Sequence, residues 1–263
     1  MERIGDIVHH GLPHRIAERE YFASNFVLVA PQLQTDEHRF AWRQHVALMD
    51  RLREALFDSC ERLDRERAYL TGLSIGGTGV WAWAVHNLNN GVQPWAGIVP
   101  ASGAWPIPID RNDSRAFYVV EERLLRGLAR MNILLAACVN DGSIPIFLNT
   151  RVGPKCMVCD DASYHTGDRA ARYAAIEMAI KCDVGADAIA EALRFYGAAS
   201  NFQYDRYEYC FPSHEPTESS FMPMHSCSNS NTGHDSWRHL YSSDRFVDWL
   251  LAHRLAESDR WWR

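Results

Sequence analysis

Ser74 lies in Gly72-Leu73-Ser74-Ile75-Gly76, a G-x-S-x-G pattern. A serine hydroxyl is a weak nucleophile by itself. It becomes effective when a histidine removes its proton and a carboxylate orients that histidine. The chemistry in view is therefore acyl transfer through a covalent serine intermediate. G-x-S-x-G is frequent by chance, so its setting decides what it means. Residues 67–71, Arg67-Ala-Tyr-Leu-Thr71, read as a short apolar strand that runs straight into the motif. A helix over about 76–88 follows. Strand, sharp turn and helix in that order make a nucleophile elbow, which lifts the hydroxyl out of the sheet. Gly72 and Gly76 flank the serine because side chains there would collide across the turn.

In this arrangement the partners follow in the order serine, acid, histidine, each on a loop after a strand. Asp141 fits the acid: it follows the apolar run Ile133-Leu-Leu-Ala-Ala-Cys-Val139 and opens Asp141-Gly-Ser-Ile-Pro145. Asp-Gly also favours a plain turn, and Asp110 and Asp113 are fallbacks in an irregular loop. Of the twelve histidines, His9, His10, His14, His38 and His45 precede the serine and are in the wrong order. His86 sits within the helix after the serine and points away from the turn. His165, His214 and His225 fall in a later, irregular region. His234, in Thr232-Gly-His-Asp-Ser-Trp237, occupies a loop between a β-prone segment and the terminal helix and is the expected base. The backbone N–H of Ile75, the residue after the serine, is the expected oxyanion donor. Trp237 and Trp105 are candidate walls of a substrate site, with Trp81 and Trp83 as further aromatics, although buried tryptophans more often fill core.

The elements that must carry these groups can be traced by period. Residues 26–30, Phe26-Val-Leu-Val-Ala30, form an apolar run of strand length stopped by Pro31. From 42 to 60, Val46, Met49, Leu52, Leu56 and Cys60 recur at helical spacing between charged residues. Further strands are expected at 95–99, 132–139 and 202–210. Helices are expected around 169–181 and 187–196, and an amphipathic one over 244–255 carries Phe246, Val247, Leu250 and Leu251. Strands alternating with helices predict an α/β protein with a mostly parallel sheet covered by helices on both faces. One domain over 1–263 is expected, with a lid-like insertion over 152–230 that also contains the last helix and strand of the core. The chain is long enough for a full core, with 47% hydrophobic residues.

A net charge of −6 without a Lys/Arg-rich run argues against a nucleic-acid or anionic-membrane surface. No apolar run has the length of a membrane span, and Met1-Glu-Arg-Ile-Gly-Asp6 lacks the apolar core of a signal peptide. These features point to a cytoplasmic protein. Of seven cysteines, Cys60 and Cys138 lie in apolar segments and read as buried small hydrophobes. Cys156, Cys159, Cys182, Cys210 and Cys227 fall in one later region, as thiols, disulfides or a metal site. Cys156-x-x-Cys159 has the spacing of half a zinc site, but no second C-x-x-C completes it. No metal and no cofactor are expected.

Residues 63–77, with Val29-Ala-Pro-Gln32 and Gly233-His-Asp-Ser-Trp237, resemble the α/β-hydrolase serine esterases related to polyhydroxybutyrate depolymerases, feruloyl esterases and phospholipase/carboxylesterases. Asp141 to Pro145 matches the acid loop of that group. The resemblance implies an α/β-hydrolase fold and cleavage of a small-molecule carboxylic ester by Ser74, Asp141 and His234. Substrate does not follow, because this fold hosts many chemistries. The chain departs from the group in two ways. The Cys-containing insertion before His234 is longer than usual. The strand and His-Gly loop that supply a second oxyanion donor lie upstream of everything here. By analogy that strand sits between residues 26–30 and 67–71, so the N-terminal strands are expected to be missing. Either the chain is incomplete, which is the expected case because an uncovered parallel strand is hard to stabilise, or the sheet is remodelled. Two alternatives accompany the esterase reading: a serine peptidase on the same machinery, and a hydrolase-fold protein that binds without turnover.

Overall fold

The computed structural model describes residues 11–18, 20–32, 41–103, 122–139, 141, 186–198, 200–208, 210 and 234–256. Four strands form a parallel sheet in the order β1 (Tyr69–Leu73), β2 (Gly97–Ala101), β3 (Ile133–Cys138) and β4 (Phe202–Tyr207). Because all four run the same way, their C-terminal ends meet at one edge, where open α/β sheets carry their sites. Tyr69 pairs with Gly97 and Leu73 with Ala101; Ile133 pairs with Phe202 and Cys138 with Tyr207. Between β2 and β3 the ladder is recorded only at Ile98–Ile133 and Ala101–Ala136. Pro100, which has no N–H to give, falls in that gap.

Alternation along the strands divides the core into two layers. Ile133, Leu135 and Ala137 of β3 face α5 (Ile75–Asn89), α6 (Glu122–Leu128) and α7 (Ala186–Phe195). Leu134 and Ala136 face the opposite side. They pack there with α1 (Gly11–Glu18), α2 (Glu20–Asn25), α8 (Ser236–Ser242) and α9 (Asp244–Ala252). β2 and β3 are buried along their whole length. That burial explains why they read as unbroken apolar runs rather than alternating ones. Two further helices, α3 (Ala41–Gln44) and α4 (Val46–Ser59), occupy the span predicted as one helix, with a turn at His45 between them. The carboxylate of Asp50 on α4 accepts hydrogen bonds from Trp83 Nε1 and from the Asn87 amide, which pins α4 to α5.

The expected strand over 26–30 is not one. Residues 26–32 carry no strand, and Val27, Leu28 and Val29 are exposed. A strand is held by a neighbour's backbone groups, and among the described residues none pairs with these or with the outer edge of β1. Only Phe26 finds apolar company, its ring beside those of Phe22 and Tyr69. Helices α1 and α2, which the pattern did not predict, bury Leu12 and Phe22 just upstream. The strands predicted at 67–71, 95–99 and 132–139 lie within two residues of β1, β2 and β3, and the one predicted over 202–210 ends three residues earlier, at Tyr207. The helix expected over 169–181 and most of the 152–230 insertion lie outside the described residues, whereas α7 and β4 within that span belong to the main core.

Candidate active site

The turn after β1 is built from close approaches. Ser74 has φ 51° and ψ −117°, a region that residues with side chains rarely occupy. Such strain persists only where the surroundings over-determine it. Here the Ser74 N–H donates to the Ala101 carbonyl on β2 at 2.9 Å, and the Ser74 carbonyl accepts from Thr78 N–H at 3.0 Å. A Cβ at Gly72 would stand 2.4 Å from the Gly76 carbonyl oxygen, so only glycine fits there, whereas one at Gly76 would meet nothing within 4 Å and the collision expected at that position does not occur. One at Gly77 would stand 2.8 Å from both the Ala101 oxygen and the Gly103 Cα. The small residues that weaken the start of α5 as a helix are what let it sit against β2.

Three side chains from distant parts of the chain meet at this edge. His234 Nε2 is 2.8 Å from Ser74 Oγ, and His234 Nδ1 is 2.7 Å from Asp141 Oδ2. Asp141 and His234 are both buried, Asp141 with no side-chain exposure. With Asp141 as a carboxylate, which can only accept, the proton belongs on Nδ1, and in the neutral ring Nε2 then faces the serine hydroxyl with its lone pair. Asp141 follows β3, and its own N–H donates to the Cys138 carbonyl at 3.2 Å. His234 stands immediately before α8, whose N-cap is Asp235; that carboxylate accepts from Arg238 N–H at 2.9 Å. Ile75, the first residue of α5, keeps an N–H with no acceptor inside its own helix, as first-turn residues do.

Trp237 is nearly buried, and its ring meets the His234 imidazole edge to face at 5.3 Å. Trp81 and Trp83 belong to the core around α5 rather than to this edge. Trp105, Asp110 and Asp113 lie outside the described residues, as do His165, His214 and His225. His86 sits within α5 with its Nε2 3.3 Å from Asp50, far along the helix from the turn.

Several contributors at this edge were not foreseen. Ser102, just after β2, has φ 43°, and its hydroxyl lies 2.7 Å from that of Ser236; both are buried. Thr71 of β1 donates its hydroxyl to the Val99 carbonyl and lies 2.7 Å from the Tyr241 hydroxyl, so it ties β1, β2 and α8 together. The reading of Cys138 as a plain buried hydrophobe needs correction. It forms a disulfide with Cys210, with Cα atoms 5.9 Å apart, within the usual span for such bonds. The bond ties the end of β3, three residues before Asp141, to the chain three residues beyond β4. Cys60 is a free thiol. Cys156, Cys159, Cys182 and Cys227 lie outside the described residues.

Fold and site thus define an α/β protein with a parallel sheet, helices on both faces and a serine, a histidine and an aspartate in hydrogen-bonded contact at the sheet's C-terminal edge. No family model matches this chain, and no curated protein sequence does. A solved structure described as the crystal structure of a thermostable esterase is similar to it, with a TM-score of 0.50 and 17% identity. The match covers 91% of this chain and 47% of that one, so this chain spans about half the length of the esterase. At that identity the likeness concerns the fold alone. Among the described residues, no helix is long and apolar enough to cross a membrane.

Proposed function

We propose that this chain is an α/β-hydrolase-type serine esterase that cleaves carboxylic esters of small molecules through an acyl-enzyme on Ser74. The observation that carries the reading is the unbroken hydrogen-bonded line from Asp141 through His234 to Ser74, which ends on a strained strand-to-helix turn. A protein that only bound its ligand would have no physical need for that line. Ser74 Oγ attacks the acyl carbonyl while His234 Nε2 takes its proton. The imidazolium returns that proton to the departing alkoxide, and Asp141 holds the ring and stabilises its charged form. His234 then activates water, which releases the acid and restores the serine. The N–H of Ile75 donates to the developing oxyanion. Trp237 supports the imidazole from its edge, and its reach to substrate, like that of Trp105, is part of the proposal.

The reading extends to one hydrolase domain over residues 1–263 with an enlarged insertion over 152–230, of which α7 and β4 belong to the core. As to compartment, the Cys138–Cys210 disulfide suits an oxidising one better than the cytoplasm, where such bonds rarely persist. A cytoplasmic location therefore stands as a proposal that finding Cys138 and Cys210 as free thiols would support.

The test is hydrolysis of a short p-nitrophenyl ester together with labelling by a fluorophosphonate, each on the parent and on Ser74→Ala. The parent should turn over and label, and the variant should do neither. Its folding stability should change by less than about 1 kcal/mol, since a small hydroxyl at a turn leaves no core cavity. Hydrolysis that survives in Ser74→Ala would show that the elbow has no nucleophilic role.

A further inference from the structure

Among the described residues, two non-glycine residues have positive φ: Ser74 at 51° and Ser102 at 43°. They are not scattered. Each follows the end of its strand, and those strands are neighbours whose last recorded pair is Leu73 with Ala101. The two turns are also locked to each other. Ser74 N–H donates to Ala101 O at 2.9 Å, and Ser102 N–H donates to Ala136 O on β3 at 2.8 Å. A Cβ at Gly103 would stand 2.3 Å from the Gly77 carbonyl carbon, so the turn after β2 is pressed directly against the first turn of α5.

The second link runs to the histidine. Ser102 Oγ lies 2.7 Å from Ser236 Oγ, across 134 residues of chain, and both groups are shut away from water. Ser236 N–H donates to the His234 carbonyl at 3.1 Å. One residue, Ser102, therefore stands between the serine turn and the histidine loop. Its strained backbone sets the direction of its hydroxyl, and strain of this kind is retained where it serves an arrangement. A buried hydroxyl pair with no water to replace it is also specific, because losing either partner leaves the other unsatisfied.

We infer that Ser102 is a positioning residue. Through Ser236 it clamps the His234 loop to the end of β2, the same strand end that anchors the Ser74 turn, and so fixes the distance between His234 Nε2 and Ser74 Oγ. The inference rests on the esterase reading, since positioning matters only if the proton transfer occurs. It predicts a defect in turnover rather than in substrate binding.

The experiment measures kcat and KM for p-nitrophenyl acetate, the fluorophosphonate labelling rate and the melting temperature. The proteins are the parent, Ser74→Ala, Ser102→Ala, Ser236→Ala, the double variant Ser102→Ala/Ser236→Ala, and Ser102→Gly. Each single change at 102 or 236 should lower kcat and the labelling rate about tenfold, the kinetic scale of one ordinary hydrogen bond, with KM within about twofold. The double variant should be no slower than the slower single one, because the same bond is lost once. Ser102→Gly removes the hydroxyl and relieves the backbone strain, so it tests the clamp even if Ser102→Ala folds poorly. It should lose kcat to the same degree, whatever its melting temperature. Full kcat in Ser102→Gly and Ser236→Ala, with Ser74→Ala inactive, would overturn the clamp alone. Activity surviving in Ser74→Ala would overturn the esterase reading, and the clamp with it.

Discussion

Aspartate and asparagine have nearly the same shape but differ in hydrogen-bond sense at one atom, so Asp141→Asn probes the histidine rather than the packing. An amide nitrogen facing His234 Nδ1 would donate to it and drive the ring proton to Nε2, leaving no lone pair for the Ser74 hydroxyl. The expected result is a fall in kcat on the order of ten-thousandfold, with far-UV circular dichroism unchanged. Activity within a few-fold of the parent would mean that another group orients the imidazole. At this scale the sequence was informative where chemistry and chain order coincide: G-x-S-x-G, Asp-Gly after an apolar run, and Gly-His before the last helices mark the three side chains that meet. Ser102 and Ser236 were invisible. Nothing in a serine's immediate neighbours reveals a hydroxyl partner 134 residues away.

Helix α5 shows how an element can be built against its own propensity. Glycine near the start of a helix costs about 1 kcal/mol relative to alanine, so on helix formation alone Gly77→Ala should stabilise. The Cβ it adds would instead meet the Ala101 oxygen and the Gly103 Cα, both 2.8 Å away and both backbone atoms that cannot swing aside. Gly77→Ala is therefore expected to lower the melting temperature and to slow turnover, because α5 can relax only by tilting away from β2 and taking Ser74 with it. A rise in melting temperature would show that the contact between helix and strand is slack. The same element scale explains which predictions held. β2 and β3 were legible because strands buried on both faces must be apolar throughout. Residues 26–30 have the same composition and still form no strand, since composition supplies a willing segment but not the neighbour it must pair with. Helices α1 and α2 are short and mixed in character, and their order comes from Leu12 and Phe22 inserting beside Trp237 and Phe246.

Across the whole molecule, alkaline pH should act through the buried tyrosines. Burial raises the pKa of the Tyr241 hydroxyl to about 12, against an opposing contribution from its hydrogen bond to Thr71. Burial also pushes Tyr204 and Tyr207 upward, with Asp187 and Asp205 respectively adding to the shift. The unfolded chain releases these protons near pH 10 while the folded chain holds them. Stability is thus fully present below about pH 10, and it falls by up to about 1.4 kcal/mol per pH unit for each such group until the folded pKa is reached. Tyr241→Phe should lose less between pH 10 and 12 than the parent in urea titrations, and an identical slope would place the alkaline transition elsewhere. The Cys138–Cys210 bond has a consequence of another kind. It turns residues 138 to 210 into a covalent ring whose one bridgehead, Cys138, ends β3 and whose other, Cys210, lies three residues beyond β4. A protease cut anywhere inside that ring yields two chains that cannot part, and the ends of β3 and β4 remain stapled beside Asp141. A cleaved sample should therefore run as two fragments only after reduction, and should keep its near-UV circular dichroism before it. The ring is also where extra sequence can be inserted without cutting the covalent tie between β3 and β4.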